Sequence, residues 1–199
     1  MKKLFALLLA ALLLLAAVGC GLKVKKDALS DQRGDWRVKK ATCYGADGSL
    51  NYWVEVTCDK DGNIVKETWL DPDGSVDDRY EYEYDANGNM IKRTRFNYHG
   101  SSDGWDTYTY DANGNMIKST SFNANGNVWY WNEYEYDANG NEIEYTAFNP
   151  DGSIRYRSEY TYDGNGNLCK YTNFNADGSV NNWMEYEWQY YPNAKKEKK

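Results

Sequence analysis

Helical periodicity is missing from this sequence. No segment keeps a 3.6-residue apolar spacing and a glycine interrupts every 12 to 14 residues, which excludes packed helices. Histidine occurs once, as His99, and no Ser-His-Asp, Cys-His or zinc arrangement can be assembled around it. An enzyme is therefore not expected, nor is a cofactor or a metal centre. Positive charge is in the minority, with 23 Lys and Arg against 30 Asp and Glu and a net charge of −7, so nucleic acid is a poor partner. Only one long hydrophobic run exists, Leu4 to Val18, and it is shorter than the roughly 20 residues that span a bilayer.

That run follows Lys2 and Lys3 and ends in Ala17-Val18-Gly19-Cys20, the layout of a secretory signal peptide over residues 1–19. The ending resembles a bacterial lipobox, which implies acylation of Cys20, attachment to a membrane through the lipid, and an extracytoplasmic place in a bacterial cell envelope. Ordinary secretion is the alternative. Residues 20–35 are polar, without apolar periodicity, and read as a lipid-anchored tether. Loss of Lys2 and Lys3 with the signal peptide takes the net charge from −7 to −9. Residues 191–199 are a basic, solvated tail.

What fills residues 36–190 is a repeat. Asp-x-Asn/Asp-Gly recurs at Asp59, Asp85, Asp111, Asp137 and Asp163, and a second turn built on Phe-Asn-x-Asp/Asn-Gly interleaves with it. Asp caps such a turn through its side chain and Gly takes φ > 0 without strain, as a type I turn followed by a left-handed glycine requires. The turn glycines fall at 48, 62, 74, 88, 100, 114, 126, 140, 152, 166 and 178, alternating 14 and 12 apart, a period of 26. Eleven turns predict an all-β fold: an antiparallel β-meander of about 12 strands. Twelve strands exceed the roughly 10 that an open twisted sheet tolerates, so a single curved sheet curling toward a barrel is expected.

Because both spacings are even and strand side chains alternate with period 2, every strand is expected to present its even-numbered residues to one buried face. Tyr84 then faces Met90, Tyr82 faces Lys92 and Tyr80 faces Thr94. The odd face carries Glu and Arg together with Trp53, Trp69, Trp105, Trp129, Trp131 and Trp183. Of the cysteines other than Cys20, Cys43, Cys58 and Cys169 are expected as free thiols unless closure of the sheet brings strands 1 and 11 together.

The segments Tyr84 to Met90, Tyr110 to Met116 and Tyr136 to Ile143, each opening Tyr-Asp-Ala-Asn-Gly-Asn, resemble the YD repeat of RHS-type bacterial surface and toxin proteins. The resemblance covers residues 36–190 and implies a sheet wound from hairpins. In that family the repeats form a shell around a toxic domain. This tract is far too short for such a shell, so encapsulation is not carried over.

Two functions follow as expectations. One is a noncatalytic binding or adhesion module at the cell surface, in which Trp53, Trp105, Trp129, Trp131 and Trp183 contact a polysaccharide or a surface protein. The other is a structural or accessory envelope lipoprotein that pairs through a sheet edge. The recurring Asp-x-Asn-Gly-Asn looks like the opening of a Ca²⁺ loop but lacks the further ligands and bidentate Glu of one. Turn chemistry accounts for each of its residues.

Overall fold

The computed structural model describes residues 37–190, and among them are twelve β-strands and no helix. The signal peptide, Cys20, the tether and the basic tail lie outside the described residues. The strands are β1 (Lys40–Tyr44), β2 (Leu50–Cys58), β3 (Ile64–Leu70), β4 (Val76–Tyr84), β5 (Met90–Phe96) and β6 (Ser102–Tyr110). They continue as β7 (Met116–Asn123), β8 (Val128–Tyr136), β9 (Glu142–Phe148), β10 (Ile154–Tyr162), β11 (Leu168–Asn175) and β12 (Val180–Glu185). All belong to one sheet in sequence order, an antiparallel meander with β1 and β12 as its two open ends. The chain divides into two compact units, one running to Tyr84 with Arg93–Asp103, the other Asp85–Lys92 with Gly104 onward.

The turns are built as their residues dictate. All eleven turn glycines have φ between 79° and 94°. At Asp111, Gly114 N–H donates to the Asp111 carbonyl (3.1 Å) and Asp111 N–H to the Asn115 carbonyl (2.9 Å). The carboxylate of Asp111 accepts from the N–H groups of Asn113 and Asn115 and from Asn115 Nδ2. These bonds, the Asn115 amide's first, hold its carboxyl below the ordinary carboxylate range.

Within each unit, every turn between paired strands is followed by a residue the ladder skips, and this corrects the expected face assignment. Tyr110 faces Met116 as expected, but the next pairs are Thr109 with Lys118 and Tyr108 with Ser119, leaving Ile117 unopposed. The second turn class does the same: Phe122 faces Val128, Ser121 faces Tyr130, and Trp129 is unopposed. An extra residue in one strand shifts the pairing by one and reverses the parity of every residue after it. One reversal occurs at each of these turns, so even residues of one strand share a face with odd residues of the next.

The two faces are therefore not "even" and "odd". In each unit taken by itself, one face, which we call its tyrosine face, carries Tyr52 and Trp69 in the first unit or Tyr134, Tyr145 and Tyr156 in the second. The other, the stack face, carries Trp53 opposite Leu70 in the first unit and Trp131 opposite Phe148 in the second. Trp69 thus leaves the group in which its parity placed it. The interior is thin: the buried residues are Ala41, Cys43, Val54, Ala147, Ser121, Thr146 and Ser158, all small or β-branched, and all but Thr146 on the tyrosine face.

One thiol also departs from expectation. Cys58 and Cys169 are free, as expected, whereas Cys43, buried in β1, is disulfide-bonded. The exception expected for Cys43, pairing with β11 through closure of the sheet, is not the one observed, since Cys169 of β11 is free.

Candidate functional site

A tyrosine ends four of the five strands entering Asp turns, Cys58 standing there in β2, and it ties neighbouring strands together. The hydroxyls of Tyr84, Tyr110, Tyr136 and Tyr162 donate to the carbonyls of Ile64, Met90, Met116 and Glu142, at 2.7 to 2.9 Å. Each acceptor is the first residue of an outgoing strand, beside the skipped position. Trp188 Nε1 makes the equivalent bond to the Leu168 carbonyl at 2.7 Å. A hydroxyl at that reach satisfies a carbonyl where the ladder is broken, which is the physical reason for Tyr before Asp85, Asp111, Asp137 and Asp163.

On the stack face, the positions one period apart are Trp53, Arg79, Trp105, Trp131, Arg157 and Trp183. Each of the first five lies over the side chain that precedes a turn on the following strand. Trp105 stacks on Phe122 and Trp131 on Phe148, both with centroids 5.1 Å apart. Arg79 lies over the Phe96 ring at 4.0 Å and Arg157 over Phe174 at 4.5 Å. Trp53 faces Leu70 and receives Lys40 over its ring at 4.3 Å. The indoles of Trp53, Trp105 and Trp131 also reach over the turn glycines Gly74, Gly126 and Gly152. These three tryptophans are half-buried and have partners on one ring face.

Trp129 and Trp183 differ. Trp183 is 60% exposed, because β12 is an edge and no strand follows it among the described residues to supply a ring. Trp129, 62% exposed, is a skipped residue and stands on the tyrosine face edge-on to Tyr130, centroids 5.6 Å apart. It forms one wall of an open groove of about 730 Å³ over β8, β9 and β10, with Tyr130, Asn132, Tyr145, Arg155 and Tyr156. The turn residues Asn149 and Pro150 close its rim. Sequence reasoning named Trp129 for a face it does not occupy and missed the rest. Arg155 lies one 26-residue period after Trp129, a signal that becomes legible once the skipped position is recognised.

The groove floor is a chain of hydroxyls. Tyr145 donates to Asn132 Oδ1 at 2.9 Å and Asn132 Nδ2 donates to Ser119 Oγ at 3.0 Å. The Tyr145 and Tyr156 hydroxyls are 3.1 Å apart. With its proton committed to Asn132, Tyr145 accepts there and Tyr156 donates, leaving the Tyr156 oxygen free to accept from a ligand. Burial first, and then the Tyr156 hydroxyl, push the Tyr145 phenol well above its ordinary value, so it keeps its proton. The arrangement offers a flat indole, two phenols, an amide and a guanidinium: recognition chemistry, with no nucleophile and base in place. Among the described residues no three His, Cys, Asp or Glu side chains converge as a metal site.

Hairpins with a Tyr-Asp turn, a bridging tyrosine hydroxyl and a ring stacked across each pair define a YD-type repeat sheet. The Teneurin YD-shell family model matches residues 39–176, most of the chain, and the protein belongs to that family. No curated protein matches the sequence. Among solved structures, the chain is similar to the Photorhabdus luminescens Tc holotoxin pore, at 14% identity and a TM-score of 0.26 over 73% of this chain and 11% of that one. It is also similar to a porin-like protein from Bacteroides uniformis, at 13% identity and a TM-score of 0.34 over 67% of this chain and 46% of that one. It thus spans about a tenth of the length of the first and under half of the second.

Proposed function

We propose that this protein is a noncatalytic repeat module, held by a lipid on Cys20 at the outside of a bacterial envelope membrane, that binds a glycan or protein at the cell surface. The observation that supports binding is Trp129: the fold needs no indole at a skipped position, and this one is exposed beside a polar, aromatic groove. Exposed aromatic rings next to convergent polar groups are what small-ligand sites are made of. The half-buried Trp53, Trp105 and Trp131 have their rings occupied by cross-strand partners, so they build the surface rather than carry the contact. The test is retention of the chain on a glycan array and on isolated envelopes. Loss of retention with Trp129→Ala at unchanged melting temperature supports the reading; undiminished retention refutes it.

Anchoring has its own test. Acylation puts the Cys20 sulfur in a thioether, which cannot also take part in a disulfide. A lipid-anchored chain therefore has Cys43 bonded to another molecule or reduced. Mass spectrometry of the membrane-extracted protein is expected to find an acylated Cys20 peptide, absent from Cys20→Ala; a Cys20–Cys43 disulfide instead would refute the anchor.

A second reading, pairing of the sheet edge with another protein, is favoured by β12, in which every residue from Val180 to Glu185 is exposed. The ladder directs the Asn182 and Met184 backbone donors to β11, as that of Tyr186 to Cys169 shows, so the donors of Trp183 and Glu185 face the open edge. Glu185→Pro removes one of those and is expected to abolish such pairing. If envelope retention survives Trp129→Ala but not Glu185→Pro, the edge is the contact.

A further inference from the structure

We infer that the groove over β8, β9 and β10 is a saccharide site selective for a sugar unit bearing a carboxylate, with Trp129 as the stacking platform and Arg155 as the anion contact. The inference rests on the binding function proposed above and names the ligand class.

The repeat itself provides the comparison. The residue skipped after the second turn class is Asn51, Asp77, Trp129, Arg155 and Asn181 in five of the hairpins, and Asp103 stands at the equivalent place, one period before Trp129, in the hairpin of β5 and β6. Asn and Asp are the short polar residues such a position ordinarily takes. Indole and guanidinium appear only at the adjacent pair that flanks the groove, so the hairpin geometry does not demand them. A skipped residue is re-aimed relative to the ladder, and this is how both reach the tyrosine face.

Arg155 is distinguished by its surroundings. Arg79 has Glu81, Arg95 has Asp103, and Arg157 has both Glu144 and Glu159 within ion-pair distance. Among the described residues no carboxylate pairs with Arg155, although the chain is acidic overall; its guanidinium stands over the Tyr130 ring at 5.9 Å. A planar guanidinium held by an aromatic face, its N–H groups unspent, is suited to bidentate capture of a carboxylate. The Trp129 face can stack on the C–H side of a sugar ring, and the free Tyr156 oxygen accepts from a sugar hydroxyl. The volume of about 730 Å³ lies within the roughly 300–1,000 Å³ of small-molecule sites.

The experiment is calorimetric titration of the full chain in detergent with tetragalacturonate, and with neutral cellotetraose as comparator, at low and moderate salt. Tetragalacturonate is expected to bind at least tenfold more tightly than cellotetraose, more weakly as salt rises. Trp129→Ala and Arg155→Gln are each expected to weaken it at least tenfold at unchanged melting temperature, and Trp183→Ala to leave it unchanged. Equal binding of the two oligosaccharides, or tetragalacturonate binding that survives Arg155→Gln, overturns the inference. Failure of the folded wild-type chain to bind tetragalacturonate overturns it too. Should the array still show another glycan retained, the general binding function stands and only this site falls; if nothing is retained on array or envelopes, both fall.

Discussion

Gly104 and Gly114 require glycine for different reasons. Gly114 has φ +85°, and a Cβ there would meet only Asn89 Oδ1 at an ordinary contact distance of 3.9 Å, so a side chain meets backbone strain rather than a clash. Gly114→Val should cost about 1 to 3 kcal/mol, and Gly114→Asn less, because Asn tolerates the left-handed region. Gly104 lies inside β6 at φ +131°, and a Cβ would collide with the Phe122 carbonyl oxygen on the neighbouring strand. Gly104→Ala is accordingly expected to lower the melting temperature more than Gly114→Asn, and equal effects would show that the strand separation there relaxes freely. The Asp caps act through charge. Their carboxyls are held below the ordinary value, so the stability they give is present above that value and lost as pH falls through the lowered one. Melting in acid should show Asp137→Asn less sensitive than wild type over that interval.

At the scale of the hairpin, two interactions recur and each predicts a measurable loss. The Tyr136 hydroxyl on the Met116 carbonyl satisfies a group beside the skipped residue; Tyr136→Phe should destabilise by about 0.5 to 1.5 kcal/mol. Burial first, then Glu142, raise the Tyr136 phenol from 10.0 to about 12. A raised folded value means the native state favours the protonated form, so this stability is complete below pH 10 and disappears as pH climbs through 12. Alkaline melts, with phenolate absorbance followed alongside, should show Tyr136→Phe losing less stability over that window than wild type. The second interaction is the stack. Trp131→Ala removes a half-buried ring from Phe148 and should cost on the order of 2 kcal/mol, whereas Trp129→Ala, on an exposed indole, should stay within about 0.5 kcal/mol. If the two variants melt alike, the division between building and contact tryptophans is wrong.

Across the molecule, the period of 26, the eleven turns and the twelve-strand meander are all legible in the glycine spacing and the Asp-x-Asn-Gly tetrads, because turn chemistry is local and depends on a few residue types. The face assignment is not. Reading parity through the turns assumes that every residue is paired, and one unopposed residue per turn breaks that assumption without altering the spacing. Trp131 and Trp129 share parity in the sequence and differ in fate for this reason: the first is carried by the ladder onto Phe148, the second is left out of it beside Tyr130. The groove was hidden with it, since Arg155 acquires meaning only as the unopposed residue one period after Trp129.

The reversal of parity at each turn underlies both the stacked row and the groove, and side-chain proton contacts measured by nuclear magnetic resonance report on it directly. The account predicts cross-peaks from the Tyr145 ring to Tyr134 and Tyr156, and from the Trp131 indole to Phe148, matching centroid separations of 5.2, 5.6 and 5.1 Å. Cross-peaks joining Tyr145 to Trp131, with none to Tyr134, would mean that parity runs unbroken through the turn, and both the stack row and the groove would be lost with it.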